Sequence, residues 1–164
     1  MLASKRVVVF GIALTLGMVL SAGLSNVSAQ ASDPRLGMWK LNVEKSKYNP
    51  PPPPQQQTMK VEGAPDGEKV TTEGVSGTGT ATKTEYTAKF DGKDYPLMGS
   101  QNADKVVLKK VDARVTERLY KKGDTLMLTF VQTISADGKT MNTTIKGKNA
   151  QGQDVDHAQV WDKQ

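Results

Sequence analysis

The chain has no cysteine and one histidine, His157. That excludes a disulfide framework, a thiol nucleophile, a cysteine-ligated metal and a lipid anchor built on a thiol. Aromatic residues make up 5% of the chain. Basic residues stand singly or in pairs such as Lys109-Lys110 and Lys121-Lys122, with carboxylates between them. A nucleic-acid footprint would be a clustered basic stripe with interleaved aromatics, so no nucleic-acid partner is expected. Nowhere after residue 31 do apolar residues recur at i, i+3, i+4 and i+7 over a helical length, which removes amphipathic helices from the reading.

The one long apolar run lies at the N-terminus. Lys5 and Arg6 precede an apolar stretch from Val7 to Leu20, and Ala29-Gln30-Ala31 offers small residues at a cleavage site. This is the pattern of a secretory signal peptide over residues 1–31, followed by one domain over 32–164. A membrane span needs about 20 apolar residues, and Ser21, Ser25, Asn26 and Ser28 end the run early, so no stable anchor is expected after cleavage. The expected location is therefore extracytoplasmic, secreted or periplasmic. Without Lys5 and Arg6 the chain keeps 20 basic residues against 17 acidic ones, a mildly basic net +3.

What remains alternates apolar and polar residues with period two from end to end. Trp39, Leu41 and Val43 alternate with Met38, Lys40 and Asn42. Strands are predicted over 58–61, 69–72, 82–90, 93–98, 104–111, 114–121, 125–135, 139–148 and 154–161. They are punctuated by Pro65-Asp66-Gly67, Asp91-Gly92, Lys122-Gly123-Asp124 and Asp137-Gly138. Short turns join antiparallel neighbours, so the fold class is all-β. The expected architecture is one antiparallel meander of nine or ten strands closed into a barrel, the alternative being a two-sheet sandwich. Five prolines, Pro50 to Pro54, favour a stiff crossover at one barrel end. The glycine-spaced 74–80 segment has no Gly-Lys-Ser/Thr and reads as a flexible loop, with a lid at a barrel mouth as one use for it.

Two registers bear on candidate site residues. An Asp91-Gly92 turn pairs Ala88 with Tyr95 and Tyr86 with Leu97, placing Tyr86 on an apolar face. A three-residue loop at Lys121-Lys122-Gly123 would pair Tyr120 with Asp124 and Arg118 with Leu126, setting Arg118 and Tyr120 on the face of Leu126, Leu128 and Phe130. A slip of one residue would reverse that face, and apolar residues occupy both, with Val115, Leu119, Met127, Val131, Met141 and Ile145 on the other.

Gly37-Met38-Trp39-Lys40-Leu41-Asn42, with Lys45-Ser46-Lys47-Tyr48 after it, resembles the opening of exported bacterial lipocalin-like proteins of the calycin group. Residues 84–96 and 135–141 are similar to the same largely uncharacterised set. The resemblance implies a barrel whose closed end is plugged by Trp39, with a basic residue from a late strand packed beside it. No arginine follows Arg118, so that role falls to lysines such as Lys148 or Lys163. Arg118-Leu119-Tyr120 is similar to the Arg-x-Tyr carboxylate anchor of fatty-acid-binding proteins.

A barrel of this size has room for one small, mostly apolar ligand oriented by a few polar side chains. Tyr86, Arg118, Tyr120 and Gln132 are the candidate ligand-binding residues, with Arg118 and Tyr120 suited to a carboxylate; the plainer readings are a surface place for Arg118 and a buried hydroxyl bonded to backbone for Tyr86. Asp154 and Asp156 share a strand face from which His157 points away, so no metal site is expected. No Gly-x-Ser-x-Gly accompanies His157, and no cofactor or catalytic residue is assigned. The expected function is binding or carriage of a small hydrophobic molecule without catalysis. An interaction protein with a filled barrel, and an enzyme using the cavity, are the other two readings.

Overall fold

A computed structural model describes residues 33–164; the signal-peptide reading of residues 1–31 lies outside them. Ten strands follow one another: β1 (Gly37–Lys47), β2 (Gln56–Ala64), β3 (Gly67–Val75), β4 (Ala81–Lys89), β5 (Tyr95–Met98), β6 (Lys105–Lys110), β7 (Val115–Lys122), β8 (Thr125–Ile134), β9 (Thr140–Lys148) and β10 (Asp154–Lys163). Each pairs antiparallel with the next, and β1 also pairs with β10. Trp39 stands opposite Met59 on one side and Lys163 on the other. The barrel is closed, which removes the exposed edge that an open sheet must protect. The meander is observed and the sandwich is excluded.

Closure sorts side chains by strand parity. Trp39, Leu41, Met59, Val61, Val70, Tyr86, Ala88, Leu97, Val106, Leu108, Phe130, Ile134, Met141, Ile145 and Trp161 are buried inside. Each such apolar side chain contributes about 1.5–3 kcal/mol relative to exposure. The outer face carries Lys60, Glu62, Lys69, Glu73, Lys83 and Glu85, paired as Lys60–Glu62, Lys69–Glu85 and Lys83–Glu73. A membrane-spanning barrel carries an apolar band there instead.

Pattern alone left the inner face of residues 114–146 undecided, and closure settles it. Arg118, Tyr120, Leu128, Phe130 and Ile134 point inward, together with Met141 and Ile145. Val131 faces outward and is exposed.

The expected Arg118–Leu126 and Tyr120–Asp124 pairs do not form. The turn is the two residues Gly123-Asp124, and a bulge between Tyr120 and Lys121 shifts the ladder so that Arg118 opposes Phe130 and Tyr120 opposes Leu128. The displacement is four residues, an even number, so Arg118 and Tyr120 keep the expected face. Leu126, on the far side of the bulge, is turned out and half exposed.

The β2–β3 turn is also shorter than expected. Ala64 pairs with Gly67 across Pro65-Asp66, and Asp66 takes the left-handed φ of 59° that such a turn demands. The Tyr86–Leu97 register is as predicted. The expected Ala88–Tyr95 pair is not part of the β4–β5 ladder, and the Asp91-Gly92 end does not close as a tight hairpin, because Phe90 N–H donates to Asp66 O and Gly92 N–H to Leu108 O.

Candidate functional site

The two barrel ends differ in chemistry. At one, Trp39 is wholly buried and its Nε1 donates to the Arg35 carbonyl at 2.8 Å. Lys163 Nζ lies 5.1 Å from the Trp39 ring and donates to Pro34 O at 2.8 Å. The late-strand base beside the plug is thus Lys163, while Lys148 pairs with Asp154 at the opposite end. Arg35 stacks 4.5 Å from the Phe90 ring centroid and forks onto Asp33 through Nε and Nη2. This end is closed.

From Arg35 a chain of buried polar groups runs inward. Arg35 Nη1 donates to Glu68 Oε2 at 3.0 Å, the Tyr86 hydroxyl donates to Glu68 Oε1 at 3.0 Å, and Arg118 Nη1 donates to the Tyr86 oxygen at 3.1 Å. Burial pushes the Tyr86 phenol well up, so it stays neutral. Burial opposes the charge on Arg118, yet the hydroxyls of Tyr86 and Tyr120 and the Glu68 carboxylate hold it protonated above the usual guanidinium range.

Arg118 is 6% exposed and has no salt bridge among the described residues. Its guanidinium lies 4.4, 5.3 and 5.7 Å from the ring centroids of Phe130, Tyr120 and Tyr86. Three aromatic faces stabilise the cation without accepting its hydrogens in plane. Arg118 Nε is buried with no hydrogen-bond partner.

A belt of polar side chains crosses four adjacent strands just below it. Thr116 opposes Gln132, Gln132 opposes Thr143, and Thr143 opposes Gln159, all buried. Gln132 Nε2 has only the Met141 sulfur at 3.4 Å, a weak acceptor, and Thr143 Oγ1 has no partner. Gln159 is satisfied by Trp161 Nε1 and the Tyr48 hydroxyl.

Tyr86, Arg118, Tyr120 and Gln132 are therefore all interior. Tyr86, Arg118 and Tyr120 meet around one guanidinium, and Gln132 occupies the next layer toward the plug. Sequence reasoning missed Arg35, Glu68, Thr116, Thr143 and Gln159. The signal was present in Glu68, which occupies an inward period-two position with Val70.

The opposite end is the mouth. The proline segment lies over it, held where Asn49 N–H donates to His157 Nδ1 at 3.1 Å and Asp156 N–H donates to Asn49 O at 2.8 Å. His157 sits 4.9 Å from the Tyr48 ring. One hollow of about 620 Å³ is bounded by the prolines, Gln57, Thr78, Asn102 and His157. An adjoining one of about 360 Å³ is walled by Leu128, Phe130, Ile145 and Val155. Phe130 stands between the mouth and Arg118, lining the smaller hollow while its ring faces the guanidinium; Arg118 itself lines neither hollow. Among the described residues no three His, Cys, Asp or Glu side chains are grouped to hold a metal.

No family model, curated protein or solved structure matches the chain. Fold and site together define a closed ten-stranded antiparallel barrel, of the lipocalin-like shape, with a cation enclosed in its interior.

Proposed function

We propose that this is an extracytoplasmic, lipocalin-like binding or carrier domain for a small, largely apolar molecule bearing a carboxylate, with no catalytic step. The carrying observation is Arg118: a buried guanidinium whose Nε is unpartnered and whose one side-chain acceptor is the neutral hydroxyl of Tyr86. Enclosing a cation without a direct carboxylate is costly, and a ligand carboxylate would supply the fork that Tyr86 does not. The neighbouring hollow of about 360 Å³ offers the apolar side chains of Leu128, Phe130, Ile145 and Val155 to the body of such a ligand. The charged outer face of β2 to β4 and the apolar run at residues 7–20 support an exported chain in water.

A second reading, a filled structural barrel, is favoured by the density of large buried side chains between Trp39 and Phe130. Native mass spectrometry and calorimetric titration with octanoate separate the two. Binding that weakens at least about tenfold in Arg118→Gln supports the carrier. Empty spectra and no heat with octanoate or other hydrophobes, from protein that unfolds cooperatively, support the filled barrel.

A further inference from the structure

The barrel mouth is depleted of charge in a chain that is 24% charged. Among the described residues, neither the hollow of about 620 Å³ nor the one of about 360 Å³ is lined by a single Asp, Glu, Lys or Arg. Carboxamides take their place: Gln57, Asn102, Asn149, Gln151 and Gln153 are distributed round the rim. An adjoining hollow of about 450 Å³ continues the polar wall with Ser, Thr and Gln, Lys83 being its one charged member.

Such a rim discriminates by chemistry. An ionic group held at the rim itself, short of the Arg118 layer, would shed water and meet no counter-charge there. A wholly apolar ligand would strip water from carboxamides and return no hydrogen bonds. A neutral ligand with many groups that both donate and accept satisfies both constraints, because each carboxamide offers two donors and an acceptor. Among the described residues the side chains of Gln57 and Gln151 make no hydrogen bond and are available. Pro50, Pro51 and Pro52 supply an apolar wall beside them, against which the C–H face of a sugar ring would lie.

The rim is also held in place before any ligand arrives. A Cβ on Gly77 would stand 2.5 Å from Pro52 Cγ and 2.6 Å from Pro53 O, so the β3–β4 loop and the proline segment are in close contact. Asn102 Oδ1 accepts from Ala150 N–H at 2.9 Å and ties the β5–β6 loop to the β9–β10 loop. Pre-ordered loops reduce the entropy lost on binding.

We infer that the barrel mouth is a binding site for a neutral saccharide, held by the rim carboxamides with a ring face against the proline segment. This site lies outside the Arg118 layer and, although it borders the smaller hollow, does not rest on the carrier reading.

The test is a ¹⁵N-resolved NMR titration of the protein with cellobiose, with glucuronate and with octanoate, each at low and high salt. Cellobiose is expected to shift the side-chain NH₂ signals of Gln57, Asn102 and Gln151. Its affinity should be insensitive to salt, since no ion pair is formed. Glucuronate should bind more weakly. Gln57→Leu, at a position without side-chain hydrogen bonds and outside the smaller hollow, should weaken cellobiose by about fivefold while keeping the folded spectrum and any octanoate response. Unmoved rim amides under saturating millimolar cellobiose, or glucuronate binding as tightly as cellobiose, would overturn the assignment. Octanoate shifting the Arg118 layer while cellobiose shifts nothing would overturn it too, and would leave the interior reading standing.

Discussion

The Tyr86 hydroxyl accepts a hydrogen bond from Nη1 of Arg118 across 3.1 Å in the barrel interior. Because that hydroxyl also donates to Glu68, it carries two charge-assisted bonds at once. Tyr86→Phe preserves the ring and removes both. The expected loss is about 2–4 kcal/mol in urea unfolding, above the usual cost of a neutral hydrogen bond, because a buried cation and a buried carboxylate each lose a partner. A loss within about 0.5 kcal/mol would mean that buried water already serves both groups.

Trp39 and Lys163 make unequal contributions to the closed end. Trp39 is wholly buried and its indole N–H is bonded, so Trp39→Ala should cost about 3–5 kcal/mol. Lys163 contributes a cation over the ring and one bond to Pro34 O. Lys163→Met should cost only about 0.5–2 kcal/mol, since the ring stays packed. Equilibrium denaturation of the two variants side by side checks the ranking.

The proline segment is fastened by a titratable acceptor. His157 Nδ1 accepts from Asn49 N–H and so must be unprotonated. Burial lowers the His157 pKa from 6.5, against the opposing pull of Asp156, which is itself paired with Lys146. A depressed histidine pKa means that the unfolded chain binds the proton first as pH falls. Stability is therefore complete above pH 6.5 and is lost as pH drops toward the folded-state value. Thermal midpoints between pH 8 and pH 5 should fall for the native chain and fall less for His157→Gln. Equal slopes would remove His157 as the cause.

The strands were legible because period-two alternation and turn residues are local. Trp39, Leu41 and Val43 announce an inward stripe, and Tyr86 opposite Leu97 followed from one Asp-Gly turn. The β7–β8 register was misplaced chiefly because the turn closes over Gly123-Asp124 rather than over Lys121-Lys122-Gly123, and the bulge beyond Tyr120 adds one further residue to the shift. Arg118 and Tyr120 kept their predicted face only because the shift is even. The buried layer escaped for a related reason. Glu68, Arg35 and Thr143 look like solvated residues until closure brings β3, β9 and the segment before β1 around one interior.

Glu68 is the member of that layer whose removal reports on all the others. Its two carboxylate oxygens are divided between Arg35 and Tyr86, and through Tyr86 it is the nearest negative charge to Arg118 along the hydrogen-bond chain. Glu68→Gln keeps the volume but leaves two buried guanidinium groups with Asp33 as their one carboxylate in that chain. Breaking a buried pair in this way costs about 3–5 kcal/mol. Arg118→Met, made alone, removes a cation that Glu68 stabilises. In the double variant the Arg118 substitution no longer forfeits that stabilisation, so the two losses should fall short of additivity by about 1 kcal/mol or more. Glu85→Gln, on the exposed Lys69–Glu85 pair, serves as the surface control and should leave the denaturation midpoint unchanged. Strict additivity of Glu68→Gln and Arg118→Met would show that Tyr86 insulates the two charges rather than connecting them.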